Sequence, residues 1–419
     1  MKKSIFALAV MSAFSGAVHA QSSVTLYGVI DEGLVYQSNA KTGGANTAAN
    51  PNTGGKRFYL DSIAGLYGSR WGLKGSEDLG GGLAAVFLLE NGFNVNNGAL
   101  GQNGLEFGRQ AYVGVSSDYG TVTLGRQYDT LFDFIGPLIF ADQIGTGAST
   151  LPGDVDNTQN AQRINNSIKY KSPNFKGLTA NAMYSFGGVP GSFARNQVYS
   201  LGVSYANGPV RLAAALDHAN QPNTSFFSNS ALSSGALAAG GQSISASNNP
   251  VYGGYINANS YQSLAAGGSY AIGPVKIGVV YSNVKFQNLQ SGLSGLPTST
   301  TGPQGTAVFN SVELNLIWRL TPALQVGGAY SYMHGSNVRF GSVLAPTRTH
   351  DTGGANYNEV SLAADYFLSV RTDVYIAAVY QTASGVDSTG TRATALIYAA
   401  TASPNNHDAL VRLGLRHRF

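Results

Sequence analysis

The chain has 419 residues, no cysteine and six histidines. A thiol nucleophile is therefore excluded. Three histidines adjoin an aspartate, in Asp217-His218, His350-Asp351 and His407-Asp408. A carboxylate and a histidine at one rim could activate water for hydrolysis, and a Ser-His pair would suit a lipase. Neighbours on a strand point to opposite faces, so each of these pairs is a poor couple by itself. No His-x₃-His spacing offers a metal site. No phosphate-binding loop is present either, because Gly55-Lys56-Arg57 has Asn50 where glycine is required. The remaining concentration of reactive groups is acidic. Residues 128–162 contain Asp129, Asp133, Asp142, Asp154 and Asp156 and no lysine or arginine. Such groups exert fields or bind cations; they form no covalent intermediates without a partner.

The elements that position these groups must be built from an unusual mixture. Charged residues are 11% of the chain, against roughly 25% in ordinary soluble domains. Glycine supplies 54 residues, tyrosine 23 and phenylalanine 19. That much aromatic surface argues against disorder. Met1 to Ala20 read as a secretory signal: Lys2 and Lys3, then an apolar stretch from Ile5, then a small-residue cleavage site at Val18-His19-Ala20. Beyond it, no run approaches the ~18 apolar residues of a spanning helix. The division expected is 1–20 signal peptide, removed, and 21–419 a single domain. The chain without its signal has 23 basic and 21 acidic residues, the full 25 and 21 less two lysines. A net charge of +2 with no basic cluster gives no ground for nucleic-acid binding.

The strongest pattern is alternation with period two. Leu178, Ala180, Ala182, Tyr184 and Phe186 alternate with Thr179, Asn181, Met183 and Ser185. Val312, Leu314, Leu316, Trp318 and Leu320 do the same against Glu313, Asn315 and Arg319. At the end of the chain, Val411, Leu413, Leu415, His417 and Phe419 share one face. Roughly sixteen strands are predicted, an even number as closed outer-membrane barrels require. The second is placed at 63–75 and the third at 82–92. Short turns such as Asn207-Gly208-Pro209 and Gly273-Pro274 alternate with long polar segments such as 38–62, 128–164 and 219–258. Only helices and closed barrels satisfy every backbone group inside a bilayer. The expected fold is all-β: a 16-stranded antiparallel transmembrane β-barrel with short periplasmic turns, long outer loops and an inward-folded third loop. A soluble sandwich would need more charge on its polar faces.

Several motifs look familiar in this order: Ser23-Val-Thr-Leu-Tyr-Gly28, Ser69-Arg-Trp-Gly-Leu-Lys-Gly-Ser-Glu-Asp-Leu-Gly80, Gly108-Arg-Gln-Ala-Tyr-Val-Gly114, Gly120-Thr-Val-Thr-Leu-Gly-Arg-Gln-Tyr128, Arg163-Ile-Asn-Asn-Ser-Ile-Lys-Tyr170 and Arg416-His-Arg-Phe419. Together they resemble the general diffusion porins of Gram-negative outer membranes, especially the betaproteobacterial branch. The resemblance implies a homotrimer of barrels, each with its own pore and no cofactor. It also implies that the third long loop narrows the lumen and faces arginines on the wall.

By their place in those motifs, Arg70, Arg109 and Arg163 match the basic side of a porin constriction. Parity agrees for two of them. Arg70 shares a face with Gly72 and Lys74; Arg163 shares one with Asn165, Ser167 and Lys169. Arg109 is ambiguous, because Ala111 and Val113 share its parity. Lys74, Lys169 and Arg126 are secondary lumen candidates, with Arg126 on the parity of Val122 and Leu124. The acidic side would come from Asp129, Asp133, Asp142, Asp154 and Asp156. The stretch from Phe132 to Phe140 is too apolar for a freely solvated loop, which suits a segment pressed on the inner wall. The alternative is an external loop whose acids are solvated or hold a divalent ion. Gly136-Pro137-Leu138 stands nearest to the Pro-Glu-Phe-Gly-Gly signature of other porins. Leu413, Leu415 and Phe419 resemble the C-terminal signal read by the outer-membrane assembly machinery. Partners expected are outer-membrane lipid, lipopolysaccharide and that machinery. The function expected is passive diffusion of small hydrophilic solutes, with a lean toward anions; the alternatives are a surface-loop adhesin and a rim hydrolase.

Overall fold

A computed structural model describes residues 23–42, 53–66, 68–227, 249–289, 301–342 and 348–419. The signal segment lies outside the described residues, and so do parts of several loops. The strands are β1 (Ser23–Lys41), β2 (Gly54–Asp61), β3 (Arg70–Gly80), β4 (Leu83–Gly92), β5 (Gln110–Ser117), β6 (Gly120–Gln127), β7 (Ile164–Lys171), β8 (Leu178–Ser185), β9 (Val198–Asn207) and β10 (Val210–Asn220). They continue with β11 (Ser260–Ile272), β12 (Val275–Leu289), β13 (Thr301–Arg319), β14 (Leu324–Gly335), β15 (Asn337–Ser342), β16 (Arg348–Gly353), β17 (Asn356–Phe367), β18 (Thr372–Ser384) and β19 (His407–Arg418).

Sixteen antiparallel staves make the wall. Each pairs with its neighbour in sequence, and β19 closes onto β1 from Val29↔Arg418 to Gln37↔Leu410. Phe419 and Gly28 complete the seam by exchanging backbone hydrogen bonds of 3.1 Å. β2 and β3 together form one stave, since both pair with β1. β15 and β16 form a hairpin beside the stave wall, paired to the outer end of β13, while β14 pairs directly with β17. Closure leaves no sheet edge in the apolar layer.

Alternation assigns the two faces. Leu413 and Leu415 of β19 are 59% and 52% exposed, outward, while Arg412 and Arg416 between them are 1% and 2% exposed, inward. The aromatic residues Trp318, Tyr330, Tyr366 and Tyr380 are also exposed on the outer face, where an amphipathic ring suits the headgroup level. The short connections fall at one end. Gly208 and Gly273 hold φ of +54° and +55° there, in two-residue turns that a Cβ would strain.

The second stave departs from the expected strand at 63–75. Pairing begins earlier, at Gly54, and breaks between Asp61 and Arg70. The Asp61 carboxylate accepts the backbone N–H groups of Ile63 (3.1 Å) and Ala64 (2.9 Å), which turns the chain inward. Arg412 holds Asp61 and Asp31 from across the barrel seam. Gly65 passes over the Asp31 carboxylate, where any side chain would collide. Alternation cannot reveal such a break, because Ala64 and Leu66 remain apolar and buried.

The long connection 128–163 folds into the lumen, as its composition suggested. Leu131, Ile135, Leu138, Ile139 and Ala141 pack on Ala213, Ala215, Ala265 and Val280 of β10, β11 and β12. Phe140 and Ile144 pack on Ile317, Ala363 and Ala377 of β13, β17 and β18. Inner-wall positions usually polar in a wet barrel are therefore small and apolar here. Gly202 and Gly327 leave room for Phe134 and Phe140. Each large aliphatic side chain sealed in this way contributes about 1.5–3 kcal/mol. At the outer mouth, Phe226, Phe227, Tyr252, Tyr255, Tyr261, Phe286 and Phe309 form one buried aromatic cluster.

Candidate functional site

A cavity of about 200 Å³ lies between the barrel wall and the folded loop. One side is wall: Arg70, Arg109 and Arg163, with the inward break at Ser62 to Ser69. The other side is the folded loop, through Phe132, Asp142, Gly147, Gln159 and Asn160. Gly92 to Asn94, Ala99 to Gln102 and Tyr398 complete the lining.

The wall side is organised by Glu90, which is 5% exposed. It accepts Arg109 Nε at 2.8 Å, Tyr128 Oη at 2.6 Å and Tyr27 Oη at 2.8 Å. Arg70 Nε stands 3.8 Å away. Gly72 lies directly opposite Glu90 in the β3–β4 register, and the Tyr27 ring crosses above it. A side chain at Gly72 would strike that ring. Arg109 precedes the first paired residue of β5, Gln110, so strand parity does not govern it and it turns inward. Arg163 likewise sits just before β7 and is 4% exposed. The Arg109 and Arg163 guanidinium groups lie 5.8 and 5.9 Å from the Tyr128 ring centre. Arg126 also turns inward, at a bulge after Gly125 that breaks its parity with Leu124. It donates to the Gly108 carbonyl at 2.8 Å and to Asn165.

The five loop aspartates have separate placements. Asp142 lines the cavity, held by Gln159 Nε2 at 3.0 Å. Burial pushes its carboxyl up to about 6, opposed by the Gln159 hydrogen bond and by Arg70 and Arg109. Asp133 faces Lys169 at 2.5 Å and Lys171 at 3.8 Å, and accepts Asn181. Asp129 caps the short helix Thr130–Phe134 by accepting Phe132 N–H at 2.8 Å. Asp154 accepts the Gln159 and Ala161 N–H groups at 3.0 and 2.8 Å. Asp156 accepts the Thr158 hydroxyl at 3.0 Å. These last three are buried within the loop or between it and the wall, and burial raises all three carboxyls. Lys169 also donates to the Tyr128 carbonyl at 2.7 Å, which pins the start of the loop. Lys74 lies over the Tyr27 ring at 5.4 Å, lower on the wall.

The structure thus brings Arg70, Arg109, Arg163 and Asp142 around one cavity, and places Asp129, Asp154 and Asp156 away from it. Sequence reasoning missed Glu90, Tyr27, Tyr128, Gln159 and Tyr398. The available signal for Glu90 was a lone acid ending the apolar run Leu83 to Leu89. The loop is fixed from all sides. Phe140 N–H donates to Glu313 at 2.7 Å, Thr130 N–H to Ser200 at 2.8 Å and Gly147 N–H to the Gly65 carbonyl at 3.0 Å. Opposed charges across a narrow wet gap orient dipolar and charged solutes; they supply no nucleophile. The Leu413 and Leu415 side chains lie on the outer face, and the Phe419 ring covers Gly28.

The sequence profile of the Gram-negative porin family matches residues 7–302. An outer membrane porin protein of Bordetella pertussis is 32% identical over 398 residues, which are 90% of this chain and 93% of that protein. Outer membrane porin protein 32 of Delftia acidovorans is 37% identical over 238 residues, 53% of this chain and 60% of its own. Among solved structures, the anion-selective porin from Comamonas acidovorans superposes with a TM-score of 0.65 at 21% identity, covering 95% of this chain and all of that one. A trimer form of OmpT from Vibrio cholerae gives a TM-score of 0.59 at 16% identity, covering 95% and 99%.

Proposed function

We propose how this chain, which belongs to the Gram-negative porin family and is an outer-membrane porin, selects what it passes. It is a passive, water-filled channel for small hydrophilic solutes, with a preference for anions. The observation that carries the preference is the cavity itself: three arginines line it against one lining carboxylate, Asp142, while Glu90 is engaged by Arg109 and two tyrosines. An anion entering the cavity exchanges water for guanidinium donors, which are strong and charge-assisted. A cation meets net repulsion at the same point. Arg70, Arg109 and Arg163 are the attracting wall. Asp142 supplies the opposing end of the transverse field, and the other loop acids hold the loop in place.

The working unit is a homotrimer in lipid and lipopolysaccharide. Leu413, Leu415 and Phe419 are read by the assembly machinery during insertion. The named porin relatives favour a channel over a rim hydrolase. Planar-bilayer recording of the protein without its signal tests this reading. Conductance steps in groups of three with stable open states are expected; a folded, heat-modifiable protein that gives no steps would overturn it.

A further inference from the structure

Below the third loop, at the short-turn end of the lumen, lies a second set of cations that the constriction does not use. Arg211 is on β10, Lys276 on β12 and Arg319 on β13, each within three residues of a short turn. All three occupy inward positions. Their same-face neighbours Ala213, Gly278 and Ile317 are buried under the loop, whereas Leu212, Ile277 and Trp318 on the alternate face are 53%, 47% and 45% exposed on the outside. Lys276 faces Ile317 in the strand register, and Arg319 lies two residues along the same face. Diagonal neighbours of that kind are about 7–8 Å apart at the backbone. Arg211 lies two strands away on the other side, about 10 Å, opposite Ser269. Both arginines act on Lys276 as like charges.

Several other lumen cations have carboxylate partners. Arg412 has Asp31 and Asp61, Arg416 has Asp373 and Asp365, and Lys169 has Asp133. Among the described residues, no ion pair or side-chain hydrogen bond joins Arg211, Lys276 or Arg319 to a partner. Arg211 and Arg319 are exposed to the lumen water, with Lys276 half-buried between them. Three neighbouring cations on one inner wall form a site for a ligand with several anionic oxygens, because such a ligand offsets their mutual repulsion at two or three points at once.

We propose that Arg211, Lys276 and Arg319 form a second anion site in the periplasmic vestibule, which holds small solutes bearing two or more phosphate or carboxylate groups. The inference rests on the reading of the chain as an open, anion-preferring channel. In that channel the triad is the next station for a polyanion after the constriction, some way below it and on the opposite wall. A chloride ion passes it with little delay; a polyanion bridges two or three cations and blocks the current.

The probe is inorganic pyrophosphate, added to each side in turn during bilayer recording in zwitterionic lipid. Block of the wild-type pore at lower concentration from the short-turn side is expected. In the R211Q/K276Q/R319Q variant, the half-blocking concentration from that side should rise at least roughly tenfold, since the loss of even one charge-assisted contact has about that effect. The sign of the reversal potential in a potassium chloride gradient should stay the same, because Arg70, Arg109 and Arg163 are intact. Heat-modifiable migration on a gel shows that the variant is folded. An anion-selective variant with unchanged block overturns the triad alone. A wild-type pore that prefers cations overturns the reading on which the triad rests. Block that follows phosphatidylglycerol content and ignores pyrophosphate would place a lipid headgroup, not a solute, on these side chains, and would also overturn the proposal.

Discussion

The two walls of the lumen handle charge in opposite ways. On the wall of β3 to β7, Arg70, Arg109 and Arg163 stand at an open cavity, and their one wall carboxylate, Glu90, is shared among several donors. On the wall of β10 to β18, the folded loop covers the surface. There Glu313 accepts a loop N–H and the Asn315 amide, and Asp217 is fully buried. At the level of the constriction, the arginines of the first wall face the cavity, while the carboxylates of the second lie under the loop and fasten it. The difference arises from side-chain size. Alanine and glycine at Ala213, Ala265, Gly327 and Ala363 make a shallow apolar bed on which Phe140 and its neighbours settle. The arginine wall has no such bed, so its groups remain beside water.

The comparison breaks most severely if the bed is filled. A Cβ at Gly327 would meet Phe140 and Ile144 at 3.0 and 3.1 Å. The substitution G327L should lift the loop, at a cost of about 1–3 kcal/mol, and raise single-channel conductance severalfold. Unchanged conductance would show that the loop does not limit flow. Removing the shared carboxylate has the next largest effect. In E90Q, Arg109 and two tyrosine hydroxyls lose their ionised acceptor. A loss of about 1–3 kcal/mol in stability is expected, read as a lower temperature of heat modification, with a clear gain in anion preference. The partly exposed Arg70 should matter less to the fold. R70Q should change stability by under about 0.5 kcal/mol and reduce anion preference roughly twofold, through one lost charge near the path.

The smallest effect sharpens the contrast by pH. Asp142 has its carboxyl raised to about 6, first by burial. It therefore carries its charge above that value and loses it as pH falls through it. The constriction then becomes more positive, so the permeability ratio of anions over cations should climb between pH 7 and pH 5. In D142N the step should vanish. A step that persists would assign the titration to another group.

The contrast between the walls was partly legible in the sequence. Period-two alternation reported the barrel because lipid and water impose opposite demands on adjacent residues. The apolar stretch Phe132 to Phe140 reported the loop, since apolar side chains need a dry partner. The bed itself was not legible: alanine and glycine on an inner face read equally as lumen lining. Arg109 and Arg126 escaped parity because one precedes its strand and the other sits at a bulge. Glu90 was hidden in a strand whose residues Leu83 to Leu89 are apolar on both faces. The separation of Asp142 from Asp129, Asp154 and Asp156 depends on how the loop folds on itself, through capping and turn hydrogen bonds that spacing alone does not specify.

The central claim is that the arginine wall sets the sign of selectivity. The measurement that tests it most directly is the reversal potential in a tenfold potassium chloride gradient, for the wild type and for R70Q/R109Q/R163Q. The account predicts an anion-selective potential in the wild type that falls to zero or changes sign in the variant. A wild-type potential of the cation-selective sign, or a variant that keeps the wild-type value, would contradict it.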